Sequence, residues 1–463
     1  MSITPDAMLT WCRHLLDPAA DGMSEYLAAI PRLDWLGDLP AGTPVLVRGD
    51  VDAKPGAEVG QADIRLRSML QTLNYGRQRG WKQIVFGHIG RKPEGSLAKV
   101  ARRLGQLLSC EVPLVDDWLD AATTTIRDQA AGTIRAAEPG SVMMLQNTRK
   151  YDIERALWKA GEADLPGLVD QLARLANEFS EKVARVYVNE ALSAGSLDSS
   201  STIVPAGMER VALGDYVAGQ FNGPMMRCLK AQLVVFSGLK IDKLDDLEAM
   251  VDRGTIRMVI SAGSLAMALK KAAARLGGGQ FCLGLAEDPA HRDKPYYIPP
   301  RRIQQASCMV EQGREKGIEF VLPIDFVLAD GQPSESIGPP DQQFDVGPKT
   351  SQLFAQKVEQ FIHQYGNLLS NEPAVAFHNG VFGMFEDPRF EDGTRQFIAQ
   401  LKRLKEAGVE VYVGGGEGGK ALEKYGQPDW VTHVFTAGGT VLNALGSKPV
   451  PYLVALRMAA NCA

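Results

Sequence analysis

Short apolar runs rich in β-branched residues alternate with amphipathic stretches along nearly the whole chain. They lie at 45–52, 84–90, 142–147 and 185–191, then at 233–238, 258–263, 319–329, 374–380, 409–416 and 433–439. Between them, stretches such as 96–109 and 350–366 place apolar residues at helical spacing. Buried strands alternating with helices predict parallel sheets covered on both faces. Glycines and prolines interrupt the pattern in 205–226 and mark a boundary there. The Pro- and charge-rich stretch 286–302 reads as a surface excursion, and Gly277, Gly278 and Gly279 as a helix stop.

In open α/β sheets the ligand lies just beyond the carboxyl ends of the strands, so those ends carry the functional information. In the first half the ends and nearby loops present Asp50, Asp52, His88, Arg91, Asn147, Arg149, Asn189 and Glu190. In the second half they present Gly238, Gly263, Gly380, Gly414, Gly415, Gly416, Gly438 and Gly439. The first half is suited to grip a small anion with side chains, and the second to let a ligand approach bare backbone. Two half-sites imply two substrates brought together by closure.

Composition narrows the classes. A chain of 463 residues is too long for one core and fits two domains. Its net charge of -5 argues against general nucleic-acid binding, which needs a basic excess. No apolar run reaches the roughly 20 residues that span a bilayer, and the charged N-terminus does not read as a signal peptide. The six cysteines form no CxxC pair and the six histidines no metal-ligand spacing, which suggests reduced thiols in the cytoplasm.

Among the motifs, 411–422 contains a GxGxxG (Gly414, Gly416, Gly419) between a strand and a helix. The next strand ends in Gly438 and Gly439 without the acid a dinucleotide fold needs. The same segment misses a P-loop by one residue, since Ala421 follows Lys420 where Ser or Thr would hold magnesium. A phosphate site at the following helix remains. Asp345 through Thr350 forms a turn opening a helix, with Lys349 near its start. The loop from His378 to Glu386 is unusually apolar, as for a segment folded over a ligand or a domain interface. In the first half Arg65 and Arg67 follow Asp63, while His88, Arg91 and Arg149 sit at strand ends of one sheet and can converge as an anion clamp.

In this order, the segments resemble phosphoglycerate kinase, from about Ile30 to Leu456. The carriers are Arg48–Ala53, Gly87–Lys92, Leu145–Tyr151, Ser237–Leu244, Leu322–Asp330, Asp345–Thr350, His378–Glu386 and Gly414–Gly418. The resemblance implies two doubly wound parallel-sheet (Rossmann-like) domains joined by a hinge, 3-phosphoglycerate on the first and Mg-ATP or Mg-ADP on the second. It implies a helical extension at 1–28, an acceptor domain at 29–215, a nucleotide domain at 216–445 and a segment at 446–463 returning toward the first. By analogy it also implies a cytoplasmic monomer with no nucleic-acid or membrane partner. Arg65 resembles the arginine that stabilises the transferring phosphoryl group, and Asp50, Asp52, His88, Arg91 and Arg149 the acceptor ligands. Lys240 matches a phosphate-binding lysine, with Lys243 as a second catalytic candidate. Asn379 would lie near the transferring phosphate, Glu386 at the ribose, and Glu417 where a magnesium-linked aspartate stands. Gly238, Gly263, Lys349, Gly415, Gly416 and Gly418 complete the implied nucleotide site.

The departures share a direction. The loop 188–201 carries Ser196, Leu197 and Ser199 where the family has His, Arg and His, and Asp52 replaces an asparagine. Lys243 follows Lys240 by three residues instead of four. Losing one charge-assisted contact to a phosphate costs about 1.5–3 kcal/mol. Three functions are therefore open. The default is reversible phosphoryl transfer to 3-phosphoglycerate. The others are a kinase for a less anionic carboxylate and an impaired, nucleotide-binding regulatory relative.

Overall fold

The apolar runs become parallel strands in a computed structural model, which describes residues 2–19, 21–53, 63–90, 92–366, 372–446 and 449–462. The chain divides into two units, Met1–Gly223 with Lys448–Ala463, and Pro224–Ser447.

In unit 1, β1 (Pro44–Gly49), β2 (Lys82–Phe86) and β3 (Leu114–Val115) are followed by a hairpin of β4 (Leu119–Asp120) and β5 (Thr125–Ile126), then by β6 (Val142–Leu145), β7 (Val186–Glu190) and β8 (Arg210–Leu213). Among the described residues the main sheet runs β3-β6-β2-β1-β7-β8, all parallel. Strand β1 lies between β2 and β7, so the chain order reverses there, which opens the crevice where such sheets take ligands. Helices cover the sheet with apolar stripes. Val169–Lys182 buries Leu172, Leu175, Ala176 and Phe179, spaced as one face of a helix. Burying each large apolar side chain contributes about 1.5–3 kcal/mol. The N-terminal helices Pro5–Leu16 and Met23–Ala29 belong to this unit. The C-terminal helix Pro451–Cys462 joins them, with Arg457 paired to Asp21 at 2.5 Å and stacked on Tyr26.

Unit 2 repeats the plan. Its strands are β9 (Leu233–Gly238), β10 (Met258–Ala262), β11 (Glu319–Val321), β12 (Phe326–Leu328), β13 (Pro333–Ser334), β14 (Gln343–Val346), β15 (Val375–Asn379), β16 (Glu410–Gly414) and β17 (His433–Val434). The main sheet runs β11-β10-β9-β15-β16-β17, again parallel with its first strand in the middle. The described residues contain no helix long and apolar enough to cross a membrane.

Three expectations change. The run 319–329 is two strands, because Pro323 has no N–H to donate and ends the first; β12 then pairs antiparallel with β13 and β14 in a separate small sheet. The stretch 205–226 contains a real edge strand, β8, where Val211, Ala212 and Leu213 are buried between Gly207 and Gly214. The run 433–439 is a strand only at His433 and Val434, and Gly438 and Gly439 begin the helix Gly438–Leu445.

Candidate functional site

At the carboxyl edge of unit 1, Asp50 and Asp52 follow β1, His88 follows β2 and Arg149 follows β6. Arg65, on the short helix Ile64–Ser68, donates to the Asp52 carboxylate at 3.2 Å and to its carbonyl at 3.1 Å, and lies 3.7 Å from Asp50. Asp52 also accepts from the Gly90 amide at 2.9 Å. Asp50 is buried and accepts from Ser193 Oγ at 2.7 Å; burial pushes its carboxyl up, against the pull of Arg65. Arg67 is committed elsewhere, to Asp63, which it shares with Arg103. Arg91 lies outside the described residues.

His88 and Arg149 face inward, onto a polar knot. Arg48 of β1 is 1% exposed; its guanidinium donates to Ser200 Oγ at 2.9 Å, to the Gly49 carbonyl at 2.7 Å and to His88 Nδ1 at 3.0 Å. A guanidinium only donates, so Nδ1 accepts and the His88 proton sits on Nε2. Burial first, then Arg48, Arg149 and Arg65, hold the His88 pKa well below its ordinary value, so this imidazole is neutral. Asp198 closes the knot. Its Oδ2 lies 3.7 Å from Arg149, 3.8 Å from Arg48 and 3.5 Å from His88, while Oδ1 accepts from Trp158 Nε1 at 2.8 Å. Arg149 stacks on the Trp158 ring at 4.9 Å and donates to the Gly90 carbonyl. Glu154 takes Ser200 Oγ at 2.6 Å and Thr148 Oγ1 at 2.9 Å, and burial beside Asp198 pushes its carboxyl up to about 7. His88, Glu154 and Asp198 could geometrically hold a metal ion. Arg48 and Arg149 already supply the positive charge there, so an ion-pair network is the better description.

Glu190 and Asn147, also at strand ends, have structural work. Glu190 accepts from Thr72 and from the Tyr216 and Val217 amides that open the helix Asp215–Gln220. Asn147 ties the loop after β2 through the Ile89 amide and Gly95 carbonyl.

Unit 2 presents backbone at the matching edge. Gly238 ends β9 at φ +138° and bridges to Gly263 at φ +65°; a Cβ on Gly263 would meet the Gly238 carbonyl at 2.7 Å. Gly380, at φ +99° just past β15, lies so close to the Ser237 carbonyl that any Cβ would overlap it. Gly415, at φ +88°, packs backbone to backbone against Gly438. Gly263 and Gly380 require glycine both for φ and for space, Gly238 and Gly415 for φ, and Gly438 for space. Lys243 reaches into this edge, donating to Asn379 Oδ1 at 3.1 Å and the Ser237 carbonyl at 3.3 Å. Burial lowers its pKa, while Glu417 and Asp246 oppose the shift and Lys240 adds to it, so both lysines and Glu417 share one electrostatic neighbourhood. Lys240 and Glu417 are exposed; Glu417 is the second residue of the helix Gly416–Tyr425, and Gly418 is buried beneath it. Leu239, Ile324 and Met384, just beyond β9, β11 and β15, are half or nearly half exposed and offer apolar surface along this edge.

The Lys349 amide caps onto Asp325 at 3.0 Å, its ammonium pairs with Glu335, and Glu386 is exposed. The apolar 378–386 loop has its reason inside unit 2: Phe382 packs on Phe354, Phe397 and His378, and Phe385 is buried. Sequence reasoning missed Asp198, Arg48, Trp158 and Glu154. The signal was present in the loop it compared: Asp198 stands between the replaced arginine and the second replaced histidine.

These two doubly wound units have the architecture of solved two-domain kinases. A phosphoglycerate kinase structure from Pyrococcus horikoshii matches with a TM-score of 0.69 at 21% identity, over 93% of this chain and 100% of that one. One from Coxiella burnetii matches with a TM-score of 0.65 at 22% identity, over 92% and 99%. The family model for phosphoglycerate kinase matches residues 38–448. Phosphoglycerate kinases from Clostridium botulinum and Bifidobacterium adolescentis are each 28% identical, over 90% and 91% of this chain and 96% and 98% of their own length. The cytosolic enzyme of Triticum aestivum is 26% identical over 90% of this chain. The chain thus belongs to the phosphoglycerate kinase family, as a divergent member, and is a phosphotransferase of the kinase class.

Proposed function

We propose that this protein catalyses reversible, magnesium-dependent phosphoryl transfer between ATP or ADP and the carboxylate of a small acid. The observation that carries this is the unit 2 edge, where Gly238, Gly263, Gly380, Gly415 and Gly438 leave only backbone and Lys243 is held against Asn379. Such an edge suits a polyphosphate, whose oxygens take N–H donors and a lysine, while Leu239, Ile324 and Met384 suit a nucleobase. Magnesium bound with the nucleotide supplies charge neutralisation at the transferring phosphoryl group. Glu417, an exposed carboxylate beside the glycine turn, is the oxygen ligand available to face it.

On unit 1, Arg65 is the exposed-edge guanidinium, with a side chain 27% accessible, and would steady the carboxylate and the arriving phosphoryl group. Transfer needs both loaded edges together, and hinge closure is the motion we propose. The family's acceptor, 3-phosphoglycerate, is the first probe. A second reading, an acceptor with less negative charge, is favoured by Asp198 lying among Arg48, His88 and Arg149.

The test is ADP release from Mg-ATP in the presence of candidate acids, with hydroxylamine trapping the acyl phosphate as a hydroxamate. Acid-dependent turnover lost in Arg65→Ala is the expected result. Absence of both Mg-ADP binding by calorimetry and hydroxamate with every acid would sink the proposal.

A further inference from the structure

We infer that Asp198 is an internal counter-anion that fills the anion seat of unit 1, and that the acceptor is a small carboxylic acid bearing a hydroxyl or ammonium group and no phosphate. This rests on the proposed kinase reaction and names the substrate class of its acceptor edge.

The first ground is occupancy. The inward-facing groups that could clamp a phosphate are Arg48, His88 and Arg149, and a protein carboxylate lies within 3.8 Å of all three. Asp198 is 0% exposed and Oδ2 has no hydrogen-bond partner, so it serves the Arg48 and Arg149 guanidiniums by charge alone. Arg149 also donates to the Gly90 carbonyl and stacks on the Trp158 ring, and Trp158 holds Asp198 in place. A ligand phosphate would have to displace a buried carboxylate already anchored by Trp158 and faced by two guanidiniums.

The second ground is charge. In the knot Arg48 and Arg149 face Asp198 and Glu154, and toward solvent Arg65 faces Asp50 and Asp52. Among the described residues of this set three guanidiniums face four carboxyl groups, of which burial pushes Glu154 and Asp50 toward the protonated form, and His88 is neutral. A phosphate dianion brought here meets acids at close range, whereas a hydrogen-bond donor is welcome. Asp52, 34% exposed, is the acid a ligand can reach, beside the arginine that would hold the carboxylate.

The chemistry balances without a general base. A carboxylate oxygen attacks the γ-phosphorus, the bond from that phosphorus to the β–γ bridging oxygen breaks, ADP leaves with the electron pair, and the product is an acyl phosphate.

The full-length protein is titrated with 3-phosphoglycerate and with inorganic phosphate, as wild type and as Asp198→Asn, which keeps the side chain's size and its acceptor for Trp158. The wild type should bind both weakly, with Kd above about 1 mM, and the variant at least about tenfold more tightly. Asp198→Ala provides a second variant if the first does not fold. Equal binding by wild type and variant, at any strength, overturns the inference. In the wild type, hydroxamate from glycerate or serine should exceed that from 3-phosphoglycerate; the reverse order also overturns it. Mg-ADP titration of the same preparations separates the two levels: lost nucleotide binding in the wild type counts against the kinase reading, not against the role of Asp198.

Discussion

The two units solve one problem, presenting a ligand at the middle of a parallel sheet, with opposite materials. At the unit 1 edge the groups that can meet an anion are side chains, and most are already answered by other side chains of the same unit. At the unit 2 edge they are main-chain groups of glycines in left-handed or crowded positions, with Lys243 held by Asn379. A side-chain grip is retuned by single substitutions, since one new carboxylate changes what the pocket accepts. A backbone grip is tied to the turn geometry and changes only with the fold. The difference teaches where this chain can depart from its family cheaply, at the side-chain edge of unit 1, and where it cannot, at the backbone edge of unit 2.

The sharpest way to break the comparison is Gly380→Ala. Its Cβ would overlap the Ser237 carbonyl, and φ of +99° is costly for any L side chain. We expect a loss of about 3 kcal/mol or more in urea unfolding, together with loss of Mg-ADP binding. A fully stable variant that still binds nucleotide would mean the edge is not built on backbone.

Next in size is Arg65→Ala. Arg65 is on the surface of its edge, so the fold should survive, and acid-dependent turnover should fall about 100-fold or more. Mg-ADP affinity should stay within about twofold, because the nucleotide half-site we propose lies on unit 2. Parallel loss of both would erase the division of labour between the units.

Much of this was legible. The parallel strands show as apolar runs because both faces of each are buried, and the glycine-ended strands of the second half pointed to a backbone site. What was not legible has physical causes. Strand β8 is four residues at a sheet edge, too short to stand out among its flanking glycines. The break at Pro323 was visible as a proline, but the antiparallel pairing of β12 with β14 depends on contacts 15 to 20 residues away. The knot around Asp198 joins residues 48, 88, 149, 154, 158 and 198, and charge compensation across such separations leaves no local pattern. Arg48 stood in the sequence only as the first residue of a motif, and its burial is what shows it to be a member of the knot.

Lys243→Met sharpens the comparison from the nucleotide side. The change keeps an unbranched side chain of similar length and removes the ammonium that Asn379 and Ser237 hold. Nucleotide affinity by calorimetry should fall roughly tenfold, the worth of one charge-assisted contact, while binding of the acid is unchanged. An unchanged nucleotide Kd would move the phosphate contact from Lys243 to the exposed Lys240.

The last comparison concerns pH, and here the units behave alike. Glu190 in unit 1 and Asp345 in unit 2 are buried acids doing structural work, Asp345 by accepting the Gly393 amide at 2.8 Å. Burial pushes each carboxyl up to about 7. A carboxyl raised on folding keeps its proton where the unfolded chain has lost it, so folding takes up a proton between about pH 4.5 and 7. Stability from these two groups is therefore full below about pH 4.5 and declines as pH rises to about 7, by up to roughly 3–4 kcal/mol each. Unfolding midpoints measured at pH 5 and 7.5 should differ less in Glu190→Gln and in Asp345→Asn than in the wild type. Slopes identical to wild type in both variants would mean these acids are ionised in the folded protein, held by their amide donors more strongly than burial opposes them.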